Sequence, residues 1–235
     1  EGEWFTANDL LEYKVSAATA RTLVQKGLAD VGQKRILRNS YVNPQKRGEL
    51  FTLTDEQAIA LEKINASVSQ RDGKTFLLQG ITGSGKTEVY IRAAAQAVEE
   101  GKQVLMLVPE IALTAQLVKR FKAWFGDEVA VAHSKLSQNE RGDVWYKMHT
   151  HQANILIGVR SAVFAPFENL GLIIIDEEHE TSYKQDERPN YHARNVALER
   201  ARLTGAPLIL GSATPDLESY YKATTGEYEH LRLTK

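Results

Sequence analysis

Gly80, Gly85, Lys86 and Thr87 stand at the spacing G-x-x-x-x-G-K-[ST], a pattern suited to taking a polyphosphate out of water. Such a ligand carries several negative charges, so backbone N–H groups must come very close to replace its hydration. Glycine permits that approach because it lacks a Cβ and reaches φ > 0 at little cost. Lys86 is then placed to meet the β- and γ-phosphates and Thr87 Oγ to meet Mg²⁺, with Ile81, Thr82, Gly83 and Ser84 completing the ATP-binding loop. About ninety residues later, Asp176-Glu177-Glu178-His179 supplies carboxylates. Asp176 is expected to hold Mg²⁺ through water opposite Thr87, and Glu177 to orient or deprotonate an attacking water. Lys86, Asp176 and Glu177 are therefore the candidate catalytic residues. An acidic run after a strand also reads as a solvated turn; its pairing with the glycine-rich loop argues for chemistry.

These groups meet only if particular elements carry them. Phe76-Leu77-Leu78-Gln79 reads as a buried strand, and the residues from Lys86 onward as a helix whose unpaired N–H groups and dipole favour an anion. From residue 75 the chain alternates apolar strands (75–79, 103–108, 129–133, 155–159, 172–175, 207–210) with helices (86–100, 113–125, 138–149, 192–204). Strands apolar on both faces and alternating with helices imply an α/β fold, a mostly parallel sheet covered on both sides. Ligands of such sheets bind at the carboxyl ends of the strands, where both motifs fall. Before the first strand, Thr54 and Gln57 fit a capping box at the start of a further helix. Gln57 reads equally as an adenine contact. Trp124, Phe125 and Trp145 read as packing residues.

Residues 1–48 differ. Thr6 is placed to cap a helix through Tyr13, and Ser16 a second helix, 17–26, stopped by Gly27. Residues 28–38 read as a β-hairpin. Two capped helices and a basic hairpin resemble a winged helix, making 1–48 a winged-helix-like domain with linker and 49–235 the nucleotide-binding domain. From Gln33 to Arg47 there are five basic residues and no acidic one. Lys34 and Arg35 are thus candidates for DNA phosphates, although a solvated tip or a protein contact fits as well. A net charge of −1 names no partner by itself. The absence of cysteine rules out thiolate metal sites here. No apolar run approaches the roughly 18 residues of a membrane span, so a cytoplasmic protein with no membrane partner is expected.

GITGSGKT (80–87), VPEIALTAQ (108–116), GVRSAVFAP (158–166), DEEH (176–179) and GSATP (211–215) resemble motifs I, Ia, Ib, II and III of a superfamily 2 helicase, and their wording is similar to that of the bacterial replication-restart branch. The resemblance covers residues 50–235 strongly and the preceding segment loosely. It implies a RecA-like ATP-binding lobe of a 3′-to-5′ DNA helicase using ATP and Mg²⁺. It implies single-stranded and branched-fork DNA, primosome proteins and single-stranded-DNA-binding protein as partners, and a bacterial cytoplasmic setting. Glu110, Thr114, Arg160 and Ser161 would then grip one DNA strand. Tyr183, Lys184, Arg188, Tyr191 and Arg194 would belong to an aromatic-rich loop that senses it. Ser212 and Thr214 would couple nucleotide state to movement, and Asp176–His179 is a DEAH-like box.

The family's second lobe, with its arginine finger and zinc-binding cysteines, is not among these residues, so no structural metal is expected here and turnover in isolation should be poor. Two other readings stay open: a non-catalytic DNA- or partner-binding module, and a small-molecule kinase, which GSATP and the aromatic loop disfavour.

Overall fold

The computed structural model describes residues 15–30 and 52–234. The chain divides into two units, 1–37 and 38–235. In the first, Ser16 Oγ accepts from the Thr19 N–H at 3.1 Å and starts α1 (Ala17–Gln25). Gly27, at φ +69°, ends it with its N–H on the Val24 carbonyl. The helix through Tyr13, residues 31–38 of the expected hairpin and the cations Lys34 and Arg35 lie outside the described residues.

The second unit opens with α2 (Asp55–Gln70), β1 (Thr75–Gly80) and α3 (Lys86–Glu99). Next come β2 (Gln103–Leu107), α4 (Ala115–Phe125), β3 (Val129–Ala132), α5 (Gln138–His149) and β4 (Ile155–Gly158). After β5 (Leu170–Asp176), a two-stranded ribbon, β6 (Lys184–Gln185) and β7 (Tyr191–His192), precedes α6 (Ala193–Thr204). The unit closes with β8 (Leu208–Ser212), α7 (Leu217–Thr224) and β9 (Glu229–Leu233). Seven strands form one sheet in the order β3-β4-β2-β5-β8-β1-β9. Every pairing in it is parallel.

Both faces of the sheet are buried, because successive side chains of a strand point to opposite sides. On one face Phe76, Leu78, Val104, Met106, Ile174 and Ile209 pack with Ile64 of α2, Val89 and Ala93 of α3 and Phe121 of α4. On the other, Leu77, Leu105, Leu107, Ile173, Ile175 and Leu210 pack with Met148 of α5, Ala197 and Ala201 of α6 and Ala223 of α7. The mean cost of ordering the chain is met mainly by this double burial, at about 25 cal/mol per Å² of apolar surface removed from water.

The α/β expectation is met, and each strand and helix read from the sequence of this unit is present with ends shifted by a few residues. The elements after Pro215 were not anticipated. Asp216 caps α7 by accepting from the Glu218 N–H at 2.9 Å. Strand β9 then pairs with β1, with Leu231 and Leu233 buried and Arg232 exposed between them. Trp145 is a correction: it is exposed rather than packed, whereas Trp124 and Phe125 do lie against the core. Among the described residues, no helix is long and apolar enough to cross a membrane.

Candidate functional site

The carboxyl ends of β1 and β5 meet at a cleft of about 470 Å³, lined by Gln57, Ile81, Thr82, Gly83, Gly85, Lys86, Thr87, Asp176 and Glu177, together with Thr52, Thr54, Glu88 and Arg120. The loop after β1 is shaped by its glycines. Gly83 and Gly85 hold φ of +88° and +83°, and a Cβ on Gly85 would collide with the Gln57 amide. A Cβ on Gly80 would run into Ser84 Oγ and sit 3.0 Å from Leu233 Cβ of β9. Gly85 is the N-cap of α3 and offers no side-chain cap, so the first N–H groups of that helix are left for an anion. Lys86 is only 8 % exposed. Its ammonium donates to the Gly80 carbonyl at 2.6 Å, which holds the charge over the loop.

Of the two roles that its sequence position suggested, Gln57 shows the cap. Its Oε1 accepts from the Thr54 N–H at 3.0 Å while Thr54 Oγ1 accepts from the Gln57 N–H at 3.3 Å, completing the capping box. Its Nε2 donates to the Ser84 carbonyl at 2.9 Å. The amide therefore clamps the glycine-rich loop and reaches the cleft at the same time.

Asp176 ends β5 and points into the cleft. Burial pushes its carboxyl above the usual range; a hydrogen bond from Tyr90 (2.9 Å to Oδ1) and the Lys86 charge pull the other way, while neighbouring Glu177 adds to the rise. The backbone then turns sharply, with Glu177 at φ +47°. A non-glycine residue in that region is strained, a feature that concentrates at functional sites. The turn sends successive side chains in different directions. Glu177 stays at the cleft. Glu178 goes inward and is 1 % exposed. His179 turns to β8, its Nδ1 lying 2.8 Å from Ser212 Oγ and 3.7 Å from Glu177 Oε2. Ser212 Oγ also accepts from the Thr214 N–H at 3.0 Å. Glu177, His179, Ser212 and Thr214 thus form one contiguous polar chain.

Thr87 and Asp176 provide a hydroxyl and a carboxylate at one cleft, the oxygen donors that Mg²⁺ takes when substrate phosphates and water complete its shell. No group of three or more acidic, His or Cys side chains suited to a metal occurs among the described residues. With one hydroxyl and one carboxylate, the donor set fits a metal whose remaining ligands come from the nucleotide and water. Tyr90 and Arg120 were missed in the sequence. Tyr90 follows Lys86 by four residues on α3, a spacing that puts both on one helix face; that was the available signal. Arg120 comes from α4 and lies 3.5 Å from Glu88 Oε2, and nothing local announced it.

The proposed DNA-gripping residues divide. Thr114 caps α4 by accepting from the Leu117 N–H at 3.2 Å, and Ser161 is exposed. Arg160 donates to the Ser182 carbonyl at 3.3 Å and to the Lys184 carbonyl, with its guanidinium 6.0 Å over the Tyr191 ring. Phe164, half exposed, meets Tyr191 edge-on at 4.9 Å. Lys184 and Arg188 are exposed, Lys184 beside Asp186 at 2.9 Å. Two residues are corrections. Tyr183 is 1 % exposed and donates to the Asp176 carbonyl at 2.6 Å. Its ring has no free face for a base, and burial followed by the nearby carboxylates holds its phenol well above the usual pKa. Arg194 is buried against Glu178 (2.9 Å), Glu218 (3.1 Å) and Ser219 (3.1 Å), which removes it from solvent. Glu110 is exposed and accepts from the Ser134 hydroxyl.

Comparison with known proteins follows the same lines. A family model described as DEAD/DEAH box helicase matches residues 54–223. The chain is similar to Replication restart protein PriA of Bacillus subtilis (strain 168), with 51% identity over 93% of this chain and 27% of that protein. It is 52% identical to PriA of Chlamydia pneumoniae over 77% of this chain and 24% of the relative. It thus spans about a quarter of the length of these curated relatives. Among solved structures, RecG bound to a three-way DNA junction superposes with a TM-score of 0.58 at 25% identity, covering 80% of this chain and 24% of that one. The Pyrococcus furiosus Hef helicase domain shares the fold, with a TM-score of 0.52 at 24% identity over 75% of this chain and 37% of that one.

Proposed function

The chain belongs to the DEAD/DEAH box helicase family, and from that premise we propose that it is the first RecA-like, ATP-hydrolysing lobe of a 3′-to-5′ DNA helicase that acts in bacterial replication restart. The observation that carries this reading is the meeting of Lys86, Thr87, Asp176 and Glu177 in one cleft although about ninety residues separate the two motifs. Lys86 supplies a fixed positive charge to the β- and γ-phosphates. Thr87 and Asp176 would hold Mg²⁺. When bound, that ion neutralises charge on the phosphate oxygens. Glu177 aligns the attacking water and accepts its proton, and the Glu177–His179–Ser212–Thr214 chain passes the occupancy of the cleft to the strand end that carries GSATP. Gln57 is the residue assigned to the nucleotide base, supported by its place in the lining of the cleft.

On this reading DNA lies across the carboxyl ends of β2 and β4, gripped by Thr114, Arg160 and Ser161. Lys184, Arg188 and Tyr191 on the ribbon loop meet the same strand; stacking on an aromatic ring contributes about 1–3 kcal/mol per base without sequence preference. The working substrates are single-stranded and branched-fork DNA, and the partners are primosome proteins and single-stranded-DNA-binding protein in the cytoplasm. Residues 1–48 act as a winged-helix-like module and 49–235 as the motor lobe. A second lobe supplies an arginine finger, whose loss costs about 10³–10⁵ in rate, so the lobe by itself turns over slowly.

The test is Lys86→Ala in the intact protein, with phosphate release measured with and without single-stranded DNA. DNA-stimulated hydrolysis should disappear. Hydrolysis that survives at the parent's rate would remove Lys86 from the site and the reading with it.

A further inference from the structure

Tyr90 stands behind Asp176, and the hydrolytic roles above do not use it. It is fully buried on α3, and its hydroxyl donates to Asp176 Oδ1 at 2.9 Å. On the far side stands Gly211 of β8, the residue in register with Asp176 of β5. A Cβ at Gly211 would collide with the Tyr90 hydroxyl, and it would lie 2.9 Å from Tyr90 Cζ and 3.3 Å from Asp176 Oδ1. Three elements therefore close on a single carboxylate oxygen, and the glycine is there because the tyrosine hydroxyl fills the space. The main chain of the same residue is pinned as well, by the Tyr183 hydroxyl on its carbonyl.

A metal held by few protein oxygens depends on how those oxygens are oriented, and groups that orient a ligand change metal affinity by about 10–100-fold. We infer that Tyr90, given room by Gly211, is a positioning residue for Mg²⁺: it fixes the Asp176 carboxylate in the orientation from which Asp176, with Thr87, would hold the ion. The inference rests on the nucleotide-site reading above and goes beyond it by assigning a role to two residues outside the phosphate loop and the acidic box.

The experiment uses the intact protein carrying Tyr90→Phe, with binding of a fluorescent ATP analogue followed across a Mg²⁺ titration that starts in excess chelator. The Mg²⁺ concentration that gives half-maximal enhancement of binding should rise about 10–100-fold. An unmoved midpoint overturns the inference alone. A parent protein that binds no nucleotide at any Mg²⁺ concentration overturns the inference and the helicase reading together. Gly211→Ala supplies a second arm read by urea denaturation, which needs no ligand. Adding Tyr90→Phe to Gly211→Ala should recover part of the stability that Gly211→Ala loses, because the colliding hydroxyl is gone. Losses that simply add would place the hydroxyl elsewhere and overturn the assignment.

Discussion

Arg194→Met tests whether the third residue of the acidic box is structural. Glu178 is buried and keeps three partners: Arg194 at 2.9 Å, Ser219 Oγ at 2.9 Å and the Asp216 N–H at 2.7 Å. Arg194 is its only cationic partner among the described residues and also reaches Asp216 at 3.4 Å and Glu218 at 3.1 Å. Methionine fills much of the volume but leaves the Glu178 charge without a counter-charge in a site that excludes water. Breaking a buried pair in this way costs about 3–5 kcal/mol. At about 2–4 °C per kcal/mol for a domain of this size, Tm should fall by ~6–20 °C. Urea denaturation of the parent, of Arg194→Met, and of Arg194→Met combined with Glu178→Gln would measure it. The double variant should be more stable than the single one, because it no longer buries an unpaired charge. A single variant within about 1 kcal/mol of the parent would refute the argument, since that is the range of an exposed pair; so would a double variant no more stable than the single.

The ribbon loop makes opposite demands on its two tyrosines. Tyr183→Phe should cost about 1 kcal/mol by urea denaturation, the worth of one hydrogen bond, whereas Tyr191→Ala should chiefly lower the ratio of DNA-stimulated to DNA-free ATP hydrolysis; a Tyr183→Phe protein as stable as the parent would contradict the first. Stability should also respond to acid through Glu100, whose carboxyl is held down at about 2 by hydrogen bonds from Lys102, Ser69 and Gln96. Because its folded pKa lies below the ordinary 4.5, its contribution is complete above that value and fades as pH falls from there towards about 2. The gap in urea midpoint between the parent and Glu100→Gln should therefore narrow between neutral pH and pH 3; a constant gap would show that the ion pairing contributes nothing.

Local chemistry made much of this protein readable in one dimension. The glycines of 80–85, the capping pair Thr54–Gln57 and the apolar runs ending in Val108 and Asp176 each declare their conformation through the residues beside them. Steric freedom, caps and two-sided burial act over a few residues, so the α/β order, the phosphate loop and the acidic box all followed from the sequence. Strand β9 was missed because an edge strand needs only half its side chains buried, and Leu231 and Leu233 alone are a weak pattern.

What the chain order did not settle was which side of the surface each polar residue would face. Tyr183, Arg194 and Glu178 sit in polar stretches that look solvated, yet all three are buried. Their neighbours in space come from other elements: Asp176 for Tyr183, Ser219 for Arg194, the Asp216 amide for Glu178. The left-handed turn at Glu177 divides three consecutive carboxylates and their histidine among the cleft, the core and β8. Tyr90 acquires a role only because Gly211 and Asp176 are paired in register. Charge and shape act through space, and burying a polar group is tolerable only when a partner is already in place; the residue types named the available chemistry, and packing of the assembled sheet decided where each group is used.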